Sequence, residues 1–521
     1  MKVFDAIYLF LALPISFVSG KDWSSLAIQV DGSTQRTLTD SEGNPVFWQA
    51  DTAWEIFHRL NITEVEYYLA DRAAKGFNVI YGAILAEEDG LTVPNQNGDL
   101  PFIDYDPRKP NEPYFHWVDT VIDMAAKYRI TIALVPAWGR WVNEGWHGPP
   151  VVLNISNAAI FGSYIGQRYA GLPKIIGGDS NRWWTHMDMD GMSQPLTNRT
   201  PEIIDSGPVF NELANAIYRA ELPMLQSRGL RPFMTYHGTS VWFSAFPDST
   251  ASAMYGNETW LSLDGVQTGH SDINNSQSHS FYNLDYMYQW VPIANQNAVK
   301  EMYDRKPTRP VMDLENHYEY WNSSISRNED GSYRWNSSFV RNGAWHAFCA
   351  GSAGVTYGEQ AVWQFANPER FNSTAGLNET WFDGLKRPGS GQFKYLRSYV
   401  ERHLGTHRIP DRSLLTTSPG MEYAEIMAIR DRWWTWVTVY VPMGQAFGLD
   451  ARNLSGTGDL HAWWFVPKNG SYLSIGPVPR SANLTFVPPT GGTIDDDWAL
   501  VTREEFSRVF VILATSSTQS D

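Results

Sequence analysis

Residues 46–83 read VFWQADTAWEIFHRLNITEVEYYLADRAAKGFNVIYGA. An apolar run, Val46–Asp51, comes first and is too short for a helix. An amphipathic stretch, Glu64–Lys75, follows, with Thr63 as expected N-cap and Gly76 closing it. Phe77–Ala83 is a second short apolar run. Strand, helix, strand with few turn residues between is the unit of a parallel sheet. The same alternation continues along the chain. Strands are expected at Ile130–Pro136, Lys174–Asp179, Pro232–His237, Gly265–Gly269, Pro310–Glu315 and Gly354–Gly358. Helices are expected near Tyr114–Tyr128, Asn157–Ala170, Val209–Ser227, Asp285–Asp304 and Phe339–Ala350. Eight such units over residues 45–390 predict an α/β fold, a (β/α)8 TIM barrel.

The pattern changes beyond the helix expected at Phe393–Leu404. Short runs at Glu425–Ile429, Trp433–Val441, Ala446–Asp450, Leu460–Val466, Leu484–Val487 and Val509–Leu513 are separated by Gly, Pro and Asn. They predict a C-terminal antiparallel β-sandwich. The expected layout is a signal peptide at 1–20, a barrel with a short N-terminal strand at 21–392, and the sandwich at 393–521. The leader rests on the apolar run Ile7–Val18 followed by Ser19-Gly20.

Composition narrows the function. Forty Lys and Arg stand against 56 Asp and Glu, a net charge of −16. Such a chain gains nothing from counterion release on nucleic acid and is repelled by anionic lipid, so neither partner is expected. No segment after the leader is apolar enough for a membrane helix. Twenty-three Trp, 25 Tyr and 25 Phe make 14% of the chain. Flat aromatic faces suit the apolar C–H faces of sugar rings. The single cysteine, Cys349, can form no internal disulfide and is expected to be a buried small residue. Asn-x-Ser/Thr sequons begin at twelve asparagines, from Asn61 to Asn483, where chance gives about four. The excess points to a secreted, extracellular protein with N-linked glycans.

In a barrel, chemistry gathers where the strands end. Asp179 ends the fourth expected strand, in IIGGDSN, and Glu315 the seventh, in PVMDLENHYE. Glycoside hydrolysis needs two carboxyl groups flanking the scissile bond, and these two strands lie across the mouth from each other. Asp313 is a rival on the face of Glu315, since alternate residues of a strand point the same way. Asp51 and Glu55 are candidates for binding sugar hydroxyls, or for a cap or core ion pair. Trp138, Trp183 and Tyr357 are candidate stacking platforms, with plain packing the alternative. His237 and His270 are candidates for the sugar pocket or for structural hydrogen bonds. Asn181 and Glu359 complete the expected substrate-binding set. No H-E-x-x-H, phosphate loop or G-x-S-x-G elbow occurs, so no metal and no cofactor is expected.

The runs FWQADTAWEIFHRL, RAAKGFNVIYGAIL, EEDGLTVPNQNGDLPFIDYDP, LVPAWG, IIGGDSN and PVMDLENHYE resemble the apiosidase-like family of glycoside hydrolases over roughly residues 25–390. The resemblance implies a (β/α)8 barrel beside a C-terminal sandwich named for collagen binding. It implies release of apiose-linked side chains from a branched plant pectin. It also implies a catalytic pair matching Asp179 as acid/base and Glu315 as nucleophile, acting with retention. The substrate expected is therefore plant cell-wall polysaccharide. The alternative is a non-catalytic carbohydrate-binding or adhesion protein of the cell wall, needing aromatic faces but no opposed carboxylates. A third reading is an interaction protein working through its tail.

Overall fold

The computed structural model describes residues 21–143, 149–179, 182–184, 203–238, 249–269, 294–328, 331–371, 373–374, 377–403, 405 and 407–504, with backbone alone at 143, 182–184, 203–204 and 324–325. Eight parallel strands organise the larger part: β1 (Trp48–Thr52), β2 (Val79–Ala83), β3 (Thr131–Val135), β4 (Lys174–Ile176), β5 (Met234–Tyr236), β6 (Asp264–Gln267), β7 (Val311–Glu315) and β8 (Gly354–Tyr357). Six of them form one parallel sheet in the order β5-β4-β3-β2-β1-β8, and β6 pairs with β7 in a second. Ser262 N donates to Met234 O at 2.8 Å where β5 meets β6. Ala353 N donates to Val311 O at 2.9 Å where β7 meets β8. This is the α/β arrangement of a TIM-like fold. Nearly every residue of the eight strands is buried, because helices cover the outside and side chains fill the inside. That double burial is why the strands read as unbroken apolar runs.

The helices between strands are α1 (Ile62–Ala74), α2 (Glu112–Lys127), α3 (Ile155–Arg168), α4 (Gly207–Gln226), α5 (Asn295–Asp304) and α6 (Ser337–Cys349). Wherever both ends of the expected helix are described, it starts two residues earlier than its apolar periodicity suggests. The first two residues add nothing to the buried apolar stripe, so periodicity begins only half a turn in. Asn61, not Thr63, is the N-cap of α1: its side chain accepts from Glu64 N, and Glu64 returns a bond to Asn61 N. Asn154 caps α3 in the same way, and Asn336 caps α6. The part of the fifth expected helix before residue 294 lies outside the described residues, as does the expected leader.

Strand β4 stops at Ile176, three residues short of its expected end. Gly177 and Asp179 have φ of 70° and 47°, left-handed values that end extended pairing. The chain before β1 forms a small three-stranded antiparallel sheet, Gln29–Val30, Leu38–Thr39 and Pro45–Val46. It sits under the strands' N-terminal ends: Gln29 donates to Arg231 O at 2.9 Å and Arg36 to Arg309 O at 3.2 Å.

A helix, α7 (Pro388–His403), leads into a six-stranded antiparallel sheet of β9 (Arg408–Pro410), β10 (Met427–Asp431), β11 (Trp436–Val441), β12 (Leu460–Phe465), β13 (Tyr472–Val478) and β14 (Trp498–Glu504), in the order β9-β10-β11-β14-β12-β13. One face, with Met427, Ile429, Tyr440, Phe465 and Val501, shares a core with Trp345 and Phe348 of α6 and Leu396 of α7. The other face, with Ala428, Val437, Val439 and Leu500, packs on the strand pair Phe447–Leu449 and Leu484–Phe486. Both faces are covered, so all six residues of β11 are buried. Strands β9, β13 and β14 were not expected; the expected strand Val509–Leu513 lies outside the described residues. Cys349 is a buried free thiol in the shared core, where burial pushes its pKa up.

Candidate active site

Glu315 is the last residue of β7 and is 4% exposed. Its cross-strand partner on β6, Gln267, donates from Nε2 to Glu315 Oε1 at 2.7 Å. Tyr318 donates its hydroxyl to Oε2 at 2.6 Å, and Trp54 Nε1 donates to the Tyr318 oxygen at 3.1 Å. His237, just past β5, places Nε2 3.4 Å from Glu315 Oε2. Gly358 permits this arrangement: a β-carbon there would meet the Tyr318 ring at 2.1 Å. Burial and the charge of Glu315 hold the Tyr318 hydroxyl well above its ordinary pKa, so it stays a donor. Donors converge on the carboxylate and orient it.

Asp179 reaches the same spot from β4. Its left-handed backbone follows Gly178, where a β-carbon would lie 2.4 Å from the Trp138 indole. Any side chain at 178 would push the indole away. Gly139 N donates to Gly178 O at 2.8 Å and pins the turn. Asp179 keeps part of its surface open, unlike Glu315. Burial of its carboxyl, then the charges of Glu87 and Glu315, push its pKa well above the usual carboxylate range; the Gln267 amide works the other way. One carboxyl is thus rich in donors and the other is surrounded by negative charge. The two carboxyls therefore sit in different electrostatic surroundings within one site.

Asp313 takes no comparable position. Thr268 donates to it from N at 3.1 Å and from Oγ1 at 2.6 Å, and Asn316 Nδ2 donates at 2.8 Å. Both oxygens are used in bracing the strand ends, and burial raises its pKa to about 6.

The other sequence candidates separate into those near the pair and those held elsewhere. Trp138 is 2% exposed and packs against Trp54 and His237, with ring centroids 4.9 and 5.8 Å away. So buried, it offers no open stacking face to a sugar. Asp51 is fully buried and accepts from Tyr68 at 2.5 Å and from Arg72 Nε at 2.6 Å. Glu55 is fully buried too, bonded to His58 Nδ1 and Glu88 N, each at 2.8 Å. These two are the ion-pair and cap arrangements, not free sugar ligands. Tyr357 donates to Glu319 at 2.6 Å inside the shared core, so its ring offers no platform. Glu359 accepts from Ala361 N and Val362 N, capping a turn; burial and Glu379 raise its pKa to about 8. Asn181 and His270 lie outside the described residues. Trp183 lies in a short strand, Arg182–Trp184, described by its backbone alone.

Two residues at the pair, Tyr318 and Trp54, were not singled out from sequence. Glu87 and Gln267 carry the signal of their place at strand ends. Tyr318 and Trp54 carried none beyond lying in the runs around Glu315 and Asp51. A separate cavity of about 590 Å³ opens at the opposite end of the strands, lined by Asp264, Arg305 and Arg309 among others. Its Asp264, Arg305 and Arg309 charges are taken up by one another, by hydroxyls or by backbone carbonyls.

Comparison with known proteins agrees with this geometry. The family described as "Apiosidase-like, catalytic domain" matches residues 32–405, and the "Putative collagen-binding domain of a collagenase" matches residues 409–503. No curated protein matches by sequence. Among solved structures, one named "Glycoside hydrolase" is 26% identical with a TM-score of 0.75, covering 92% of this chain and 97% of its own. A family 5 glycoside hydrolase from Bacteroides vulgatus is 24% identical with a TM-score of 0.74, covering 92% and 94%. The family match spans well over half the sequence, and the structural likeness spans nearly all of it. The chain belongs to the apiosidase-like family and is a glycoside hydrolase.

Proposed function

We propose that this enzyme is exported and cleaves pectic side chains of plant cell-wall polysaccharide with retention, through a closed eight-stranded barrel whose mouth holds Asp179 as acid/base and Glu315 as nucleophile. The observation that carries the reading is Gln267. Its amide nitrogen donates to Glu315 at 2.7 Å and also faces Asp179. One amide acting on both carboxyls keeps the two of them close together in a single small site. Retaining enzymes hold theirs about 5–5.5 Å apart, and inverting ones leave room for a water.

The chemistry follows from the charges. Ionised Glu315 attacks the anomeric carbon while Asp179, kept protonated by burial and by Glu87 and Glu315, gives its proton to the leaving oxygen. Once Glu315 is esterified, its charge is gone. Asp179 then loses one source of repulsion, becomes more acidic, and serves as the base that activates water. The aromatic floor of Trp54, Trp138 and Tyr318 is dry, which strengthens these interactions. The non-catalytic reading is less favoured, because Trp138 and Tyr357 are buried where that reading needs open faces.

Purified protein should be screened against pectic and hemicellulosic oligosaccharides, with the first-released anomer read by NMR. Glu315→Gln and Asp179→Asn are each expected to cut turnover roughly 10²–10⁴-fold with the fold intact. Azide should rescue Glu315→Gly by forming a glycosyl azide of opposite configuration. Near-wild-type rates in either variant, or initial release of the inverted anomer, would overturn the assignment.

A further inference from the structure

We propose that Asn61, Asn154, Asn322, Asn336 and Asn378 carry N-linked glycans that ring the catalytic face. The proposal rests on the export reading above. Each of these asparagines opens a sequon: NIT, NIS, NSS, NSS and NET. All lie at the surface; four are exposed and Asn336 is partly so.

The bonding of the side-chain amides leaves their nitrogens available. Asn61, Asn154 and Asn336 use Oδ1 to accept helix N–H groups, at 3.0, 2.9 and 3.1 Å. Among the described residues, Nδ2 of all five makes no hydrogen bond. Several asparagines outside sequons do the reverse. Asn78, Asn111, Asn157, Asn295 and Asn342 commit Nδ2 to backbone carbonyls at 2.7–3.1 Å. A sugar on Nδ2 would break those bonds. On the five sequon residues it breaks nothing: at Asn61, Asn154 and Asn336 the cap is made by the oxygen, and in all five the sugar joins the nitrogen.

Position adds a second pattern. Asn61 follows β1, Asn154 follows β3, Asn322 and Asn336 lie between β7 and α6, and Asn378 follows β8. These are the loops on the side where Asp179 and Glu315 open. Asn257, exposed before β6, marks the opposite end. In the transfer, Nδ2 attacks the anomeric carbon of a lipid-pyrophosphate-linked oligosaccharide. The new N–C bond replaces the C–O bond to pyrophosphate, and one Nδ2 proton is lost.

The test uses full-length chain made in a glycosylating eukaryotic host, with its own N-terminus and in parallel behind a proven secretory leader. Glycans are removed by an amidase in ¹⁸O-water, and labelled aspartate is located by peptide mass spectrometry. Label is expected at the five positions, and none at Asn78, Asn111 or Asn157. Secretion only behind the added leader would overturn the export reading while leaving the sites to be read. Secreted protein with unlabelled Asn61, Asn154, Asn322, Asn336 and Asn378 would overturn this proposal. Thr63→Ala removes the first sequon but spares the Asn61–Glu64 cap, so one glycan's mass should disappear with Tm unchanged. Asn61→Gln should lose both.

Discussion

Gln267 donates its side-chain amide to Glu315 across the β6–β7 pair at 2.7 Å, and the same amide faces Asp179. It therefore acts on both halves of the proposed catalytic pair without being able to transfer a proton itself. Gln267→Met keeps the volume and removes the donor. A hydrogen bond to a charged group is worth about 1.5–3 kcal/mol. Turnover is expected to fall roughly 10–100-fold, with KM changed less. The fall should be largest in whichever step has Glu315 ionised, which pre-steady-state burst measurements separate. Unchanged kcat would show that Tyr318 alone orients the carboxylate.

With Asp179 as the proposed acid, its protonation is expected to set the alkaline side of the pH profile. Burial is the main cause of its raised pKa, followed by Glu87 and Glu315. Glu87→Gln removes one of these charges, so Asp179 should release its proton at lower pH. The alkaline limb of kcat/KM is expected to move to lower pH while the acid limb moves less. A profile that coincides with the wild type would mean that Glu87 does not act on Asp179.

The same shift has a consequence for stability. A carboxyl whose pKa is raised in the folded state stabilises the fold below its unfolded pKa, near 3.9, and loses that contribution as pH rises through the folded pKa. Asp179→Asn is neutral throughout. Its Tm should match the wild type at about pH 4 and exceed it at about pH 8. Calorimetry at both pH values checks this. Equal Tm at both would mean that the carboxyl is not held against its preference.

How far the chain itself announces this site depends on what kind of residue is asked about. Strands β1 to β8 were legible because burial on both faces leaves apolar runs that nothing else of that length produces. Asp179 and Glu315 were legible because they end such runs. Tyr318 was not, because its role depends on Gly358, forty residues away, leaving space for its ring. Asp51 and Asp179 look alike as acidic residues after apolar runs. Only the fold shows that Arg72, one helix later, takes up Asp51. Strand β13 escaped notice for another reason: it is an edge strand, largely exposed, broken by Gly476 and Pro477.

Asp313 and Glu315 share a strand and a face, and their substitutions should fail differently. Asp313 accepts three hydrogen bonds from Thr268 and Asn316. Asp313→Ala orphans those donors and should destabilise the fold by about 2–4 kcal/mol. Glu315→Gln should leave stability within about 1 kcal/mol and abolish turnover. Urea denaturation beside activity assays distinguishes them. An Asp313 variant that is stable and inactive would reverse the roles.

The C-terminal sheet is bound to the catalytic part by more than a linker. Arg341 of α6 donates to Asp497 from Nε at 2.9 Å and from Nη2 at 2.7 Å, and from Nη1 to Gln392 at 2.5 Å. Arg341 and Asp497 are almost wholly buried, within a core where β10, β11, β12 and β14 cover α6 and α7. Breaking a buried ion pair by removing one partner leaves the other uncompensated, costing about 3–5 kcal/mol. Asp497→Asn is therefore expected to lower the unfolding free energy of the whole chain by roughly that amount, in one cooperative transition. Residues 21–404 alone would expose Trp345, Phe348 and Leu396 together with an unpaired Arg341, and should aggregate. The tail then acts as half of the core and not as a detachable binding module. A soluble, fully active 21–404 fragment with unchanged Tm would show instead that the sheet is carried for a purpose of its own.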